Sequence, residues 1–146
     1  MNALEKIVDL LAASCLLFLL PLFFYGSGKR VCQTMLAGQA GEHFLNTIST
    51  SGEITLSVWM QLEHSMERFG CEAIDLQRER YVFEPGKEEG SVVERVYTNG
   101  REELLAEIQE EGGSRLRKGD RITLTLYVNE FPMVYSECIR TGANGG

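Results

Sequence analysis

Apolar and polar positions are distributed in two different ways along this chain. From Leu10 to Gly28 the run LLAASCLLFLLPLFFYGSG carries no charge and is dense in Leu and Phe. Its 19 residues make a helix of roughly 28 Å at ~1.5 Å rise per residue, close to the ~30 Å hydrocarbon thickness of a bilayer. Beyond Lys29 and Arg30 the apolar residues no longer cluster but recur with a period. In 29–50, Leu36, Ala40, Phe44 and Ile48 return every four residues with Ala37, Gly41 and Leu45 beside them, which predicts a second, amphipathic helical stretch. Ser49-Thr50-Ser51-Gly52 then supplies a stop and a turn. A further helix is expected over Leu56–Phe69, with Thr55 as N-cap and Gly70 closing it. Its stripe of Trp59, Leu62, Met66 and Phe69 reads as core.

The period then falls to two. Ile74 and Leu76 lead through a charged stretch to Tyr81, Val82 and Phe83, a strand ended by Pro85-Gly86. Val92, Val93, Val96 and Tyr97 read as a second strand. Arg101–Glu111 predicts a short helix with Leu104, Leu105 and Ile108 inward and its glutamates on a solvated face. After the turn chemistry of Gly119-Asp120, Ile122, Leu124 and Leu126 alternate with Thr123, Thr125 and Tyr127 in the clearest strand, Arg121–Val128. Met133–Arg140 reads as a last strand, and Thr141–Gly146 as a glycine-rich tail. This order predicts an α+β fold: a long N-terminal transmembrane or stalk helix, then a small antiparallel sheet with covering helices on one face. The expected division is an anchor at 1–28, an amphipathic continuation at 29–52 and an α+β domain at 53–146. Pro21 is expected to bend the anchor, and Gly26 and Gly28 to form a soft exit from it.

Charge narrows the classes. Of 14 basic and 21 acidic residues in the chain, 11 basic and 19 acidic lie in 31–146, leaving the part beyond the anchor near −8. A nucleic-acid partner would need a basic footprint and is therefore not expected. The apolar run exceeds the 7–15 residues of a signal-peptide core, and Glu5 and Asp9 dilute its basic start, so a retained anchor is the expectation. Lys6 and the amino terminus on one flank and Lys29 with Arg30 on the other leave the orientation open on charge alone.

Candidate chemistry is sparse. The four cysteines, Cys15, Cys32, Cys71 and Cys138, form no CxxC pair and no Cys/His cluster. In an oxidising compartment Cys71 and Cys138 are the pair well inside the folded part that would close a disulfide; buried or lone thiols are the alternative. His43 and His64 each follow a Glu, and neither has a second His four residues on, so no HExxH helix is present. The chain contains no GxSxG elbow, phosphate-binding glycine loop or dinucleotide fingerprint. No enzymatic activity, metal or cofactor is expected.

A charged start with Glu5, an apolar helix interrupted at Pro21, an amphipathic continuation and a small acidic C-terminal domain resemble type IV pilin-like proteins. The closer likeness is to the pilin-like proteins of tight-adherence and related secretion systems in Gram-positive bacteria. It spans about residues 1–84 and includes Ser51-Gly52-Glu53-Ile54-Thr55, the bulky helix of Trp59, Leu62 and Met66, Gly70, and the run into Tyr81 and Phe83. It departs in two places: Glu5 counts fifth from Met1 rather than from a processing site, and Asp9 sits in the early helix. The resemblance implies a minor pilin or pseudopilin, a structural subunit of a cell-envelope filament or a secretion and adhesion apparatus. The protein would be a single-pass protein of the cell membrane with its C-terminal domain extracytoplasmic, and its partners would be the membrane and other pilin-like subunits. Glu5, Pro21 and the small residues Ala37, Gly38, Ala40 and Gly41 would be assembly contacts, the last four letting a neighbouring helix approach. The competing expectation is a membrane-anchored extracytoplasmic module that binds a polymer or protein partner.

Overall fold

The computed structural model describes residues 2–140; the glycine-rich tail expected at Thr141–Gly146 lies outside them. Helix α1 runs unbroken over Ala3–Ser51, 49 residues, with Pro21 inside it. The anchor and the amphipathic continuation are thus one element. The soft exit expected at Gly26 and Gly28 does not occur, because both residues stay helical. Gly52, in the left-handed region at φ 72°, ends the helix and donates its N–H to the Ile48 carbonyl.

Next come β1 (Glu53–Thr55), α2 (Leu56–Arg68), β2 (Cys71–Pro85), β3 (Val92–Asn99), α3 (Arg101–Glu111), β4 (Gly113–Arg115), β5 (Arg121–Val128) and β6 (Phe131–Cys138). Thr55 caps α2 as expected, its Oγ1 accepting from the Val58 N–H at 3.2 Å. The main sheet is antiparallel in the order β3-β2-β5-β6, and β1 pairs with β4 in a separate two-stranded ribbon. That ribbon ties the end of α1 to the end of α3, and Leu116 continues it by donating to the Gly52 carbonyl at 2.8 Å.

The alternation of β5 explains the layering. Ile122, Leu124, Leu126 and Val128 are buried against the helices, whereas Thr123, Thr125 and Tyr127 lie on the other face of the sheet. The buried side meets Ala37, Phe44, Leu45 and Ile48 of α1, Trp59, Leu62 and Met66 of α2, and Leu104 and Ile108 of α3 in one cluster. Phe44 and Trp59 pack edge to face at 6.2 Å between ring centroids, and the Arg101 guanidinium sits 5.8 Å from the Trp59 ring. The fold is α+β, a long N-terminal helix followed by antiparallel sheets with two further helices.

One polar cluster is built into this core. Arg78, on the buried side of β2, donates to Ser114 Oγ at 2.9 Å, Asn99 Oδ1 at 3.0 Å and Glu107 Oε2 at 3.2 Å, while its Nε has no partner. Two residues along, Arg80 clasps the buried carboxylate of Asp120 with bonds of 2.8 and 3.1 Å. Asp120 also accepts from the Arg117 N–H at 2.9 Å, closing the turn into β5. The hydrogen bond from Arg80 to Asp120 raises the guanidinium's pKa further above its ordinary value.

Candidate functional site

The feature that sets this molecule apart is α1, which changes character along its length. From Leu4 to Tyr25 its Leu, Ile, Val and Phe side chains stand exposed, and none of the most apolar 18-residue window is buried. By length and composition this helix can cross a membrane. Glu5 lies in its first turn, next to the backbone N–H groups left unpaired at a helix start, where a carboxylate is favourable. Pro21 stands mid-way along the bare part, where it removes the one N–H that would bond the Leu17 carbonyl.

From Ala37 onwards the same helix is seated on the sheet. The expected assembly stripe lies here, and three of its members are occupied within the chain itself: Ala37, Gly38 and Gly41 are buried, the two glycines against the chain's own strands. A Cβ at Gly38 would stand 2.6 Å from Tyr135 Oη. At Gly41 it would stand 3.0 Å from Leu126 Cδ1 and 3.3 Å from Leu124 Cδ2. Small residues are needed because β5 and β6 press against the helix backbone, a contact with sequence-distant strands that helical periodicity does not reveal. Ala40, the fourth member, is half-buried on another flank, where it lines a shallow cavity of about 100 Å³ between α1 and α2 with His43, Phe44 and Leu62.

The β5–β6 turn clips the helix where it leaves the domain. Asn129 and Glu130 both adopt positive φ, 53° and 68°, giving the tight two-residue connection that right-twisted strands favour. Asn129 Nδ2 donates across to the Arg30 carbonyl and to Thr34 Oγ1, each at 3.3 Å. Beside it Phe131 is 75% exposed. Neither Asn129 nor Phe131 stood out in the sequence; the Asn-Glu pair between two alternating runs was the available signal.

Cys71 and Cys138 do not form the disulfide expected as one alternative. Cys71 pairs with Val128 at one end of β5 and Cys138 with Arg121 at the other, and all four cysteines are free. Seven residues of strand between those partners amount to roughly 23 Å, several times the span of a disulfide. The Cys71 thiol has two carbonyl acceptors within reach of its one S–H, Ala73 at 3.1 Å and Tyr127 at 3.4 Å, and burial pushes its pKa up, the reverse of what a nucleophile needs. Both histidines are exposed, and among the described residues no three His, Cys, Asp or Glu side chains converge as metal ligands.

The opposite end of the sheet carries a second exposed surface. Residues Val92–Thr98 of the edge strand β3 are all exposed, and the hairpin they form with β2 displays Phe83, Val92, Val93 and Tyr97. The chain matches no protein-family model, no curated protein and no solved structure.

Proposed function

We propose that this chain is a pilin-like structural subunit, a minor pilin or pseudopilin, of a cell-envelope filament or secretion and adhesion apparatus. In this reading it is held in the cell membrane by one span, with the sheet domain extracytoplasmic. The observation that supports it is the unbroken helix, bare and apolar over its first half and seated on an acidic domain over its second. A subunit that leaves the bilayer for a filament needs this arrangement: an apolar rod that stays dry in either setting, and a polar head that coats the outside. Glu5, with Lys6 and Asp9 close by, is an early charge that needs a partner away from water, and a neighbour's amino terminus is a complementary one. Because Ala37, Gly38 and Gly41 are buried in the domain, the exposed apolar faces of 3–36 are the part of the helix left for contacts between subunits.

The test is incorporation. Glu5→Ala and Glu5→Gln are expected to insert in the membrane as the parent does but to be depleted from the sheared, sedimentable polymer fraction. Equal incorporation of both variants overturns the reading. The exposed β2–β3 hairpin favours a second one, a membrane-anchored module that binds a polymer or protein partner through this surface. The two separate when residues 3–28 are exchanged for an unrelated transmembrane helix: an assembly subunit loses function, whereas an anchored binder keeps it.

A further inference from the structure

We infer that the β5–β6 turn is a membrane-contacting foot: Phe131, beside Lys29 and Arg30, inserts among the lipid headgroups and seats the domain on the bilayer. This rests on the membrane-span half of the reading above and on nothing about filament assembly. The axial position comes from the clip. Asn129 reaches the Arg30 carbonyl at 3.3 Å, and Arg30 lies two residues past Gly28, the end of the uncharged run. Two residues of helix are about 3 Å, and the headgroup layer on each side of the hydrocarbon is about 5–8 Å deep. When the run fills the hydrocarbon, the turn therefore lies at headgroup level.

Orientation agrees with this placement. Phe131 pairs with Val128, whose side chain faces the helix side of the sheet, so the ring projects from the tip of the hairpin on the side of α1. Val31 and Met35 on the helix are exposed apolar residues as well. An aromatic at the boundary between an apolar span and water is the chemistry of an interfacial anchor. Charge selects the kind of surface. Lys29, Arg30 and Arg68 stand at this end with Glu130 and Glu72, since the turn at Gly70 lies against Gln33. That near-neutral set, on a domain that is acidic overall, fits a zwitterionic membrane better than a strongly anionic one.

The test uses the full chain reconstituted in phosphatidylcholine vesicles with and without brominated acyl chains, which quench nearby indole fluorescence. Trp59 is buried in the core and supplies a constant background. Phe18→Trp, inside the apolar run, reports the span; Phe131→Trp reports the foot; Val134→Trp, three residues along β6 on the other face of the sheet, is the control away from the bilayer. Shallow bromines are expected to roughly halve the added emission of the Phe131→Trp protein and leave the Val134→Trp protein unchanged, as for an indole at headgroup depth. Quenching at Phe18→Trp with none at Phe131→Trp overturns the foot and leaves the span standing. Equal quenching at Phe131→Trp and Val134→Trp also overturns it, because the contact would then be unspecific. No quenching at Phe18→Trp removes the span, and the foot with it. All three positions are exposed, and thermal unfolding of each variant checks that the fold is kept.

Discussion

Gly41 offers a direct measurement of whether the small-residue stripe serves this chain or a neighbour. In Gly41→Ala the new methyl meets Leu126 Cδ1 at 3.0 Å and Leu124 Cδ2 at 3.3 Å, both on fully buried residues with little room to withdraw. Overpacking of this kind costs about 1–3 kcal/mol, while replacing a helical glycine returns about 1 kcal/mol of helix propensity. The alanine variant is thus expected between neutral and about 2 kcal/mol less stable. Gly41→Leu puts three further carbons against the same leucines and Tyr135, and is expected to lose about 3 kcal/mol, a large share of the ~5–15 kcal/mol typical of a domain. The assay is urea unfolding of the full chain in detergent, followed through the emission of Trp59, which lies in the cluster that the seat closes. The midpoint should fall in the order Gly41, Ala, Leu with an unchanged slope. Gly28→Ala is the control, since nothing lies within 4 Å of that position. An alanine variant more stable by the full ~1 kcal/mol, with a leucine variant at parental stability, would refute the seat and return the stripe to a role between subunits.

Two further outcomes follow from the polar contacts. Asp120→Ala leaves the Arg80 guanidinium without its carboxylate partner and the Arg117 N–H without an acceptor, and should destabilise by about 3 kcal/mol. The double variant Arg80→Met with Asp120→Leu is expected to regain much of that loss in the same unfolding assay; a double variant as unstable as the single one would contradict the account. Alkylation at pH 8 should label exposed Cys138 before Cys71, whose thiol is held protonated by burial. Because the folded state raises this pKa, the matching stability is fully present below the unfolded thiol's range near ~8.5 and fades as pH rises through the higher folded value. Labelling of Cys71 as fast as Cys138 in the native protein would count against this.

How far the sequence alone reveals this structure depends on the length over which a pattern repeats. Arg101–Glu111 and Arg121–Val128 match α3 and β5 residue for residue, because each carries its period over at least eight residues between clear stops. The strands β1 and β4 could not be seen: at three residues each, they have no period to display. The first strand of the main sheet begins at Cys71 rather than Ile74, and the last at Phe131 rather than Met133, since pairing across the sheet and a tight non-glycine turn extend both beyond their apolar cores. Gly26, Ser27 and Gly28 read as an exit, yet the helical backbone bonds carry through them. The candidate surface was half legible. The apolar run and Glu5 are local facts of the sequence, but the partner of the small-residue face is a pair of strands 83–97 residues away, which no periodicity can name. Arg78 and Arg80 stand in the sequence only as part of a charged stretch for the same reason; their acceptors, Glu107 and Asp120, arrive from later elements.

The continuity of α1 also sets an angular phase between the two ends of the molecule. The helix turns about 100° per residue, and it runs without a break from the bare half to the seat. Each face of the apolar rod therefore corresponds to a fixed compass bearing of the sheet domain, with the β2–β3 hairpin on one heading and the β5–β6 turn on another. One residue inserted near Gly28 would swing the whole domain through about 100° while moving it only about 1.5 Å along the axis. The molecule behaves as a key whose bit is cut at a set angle to its shaft: whatever holds the shaft also decides which way the domain faces.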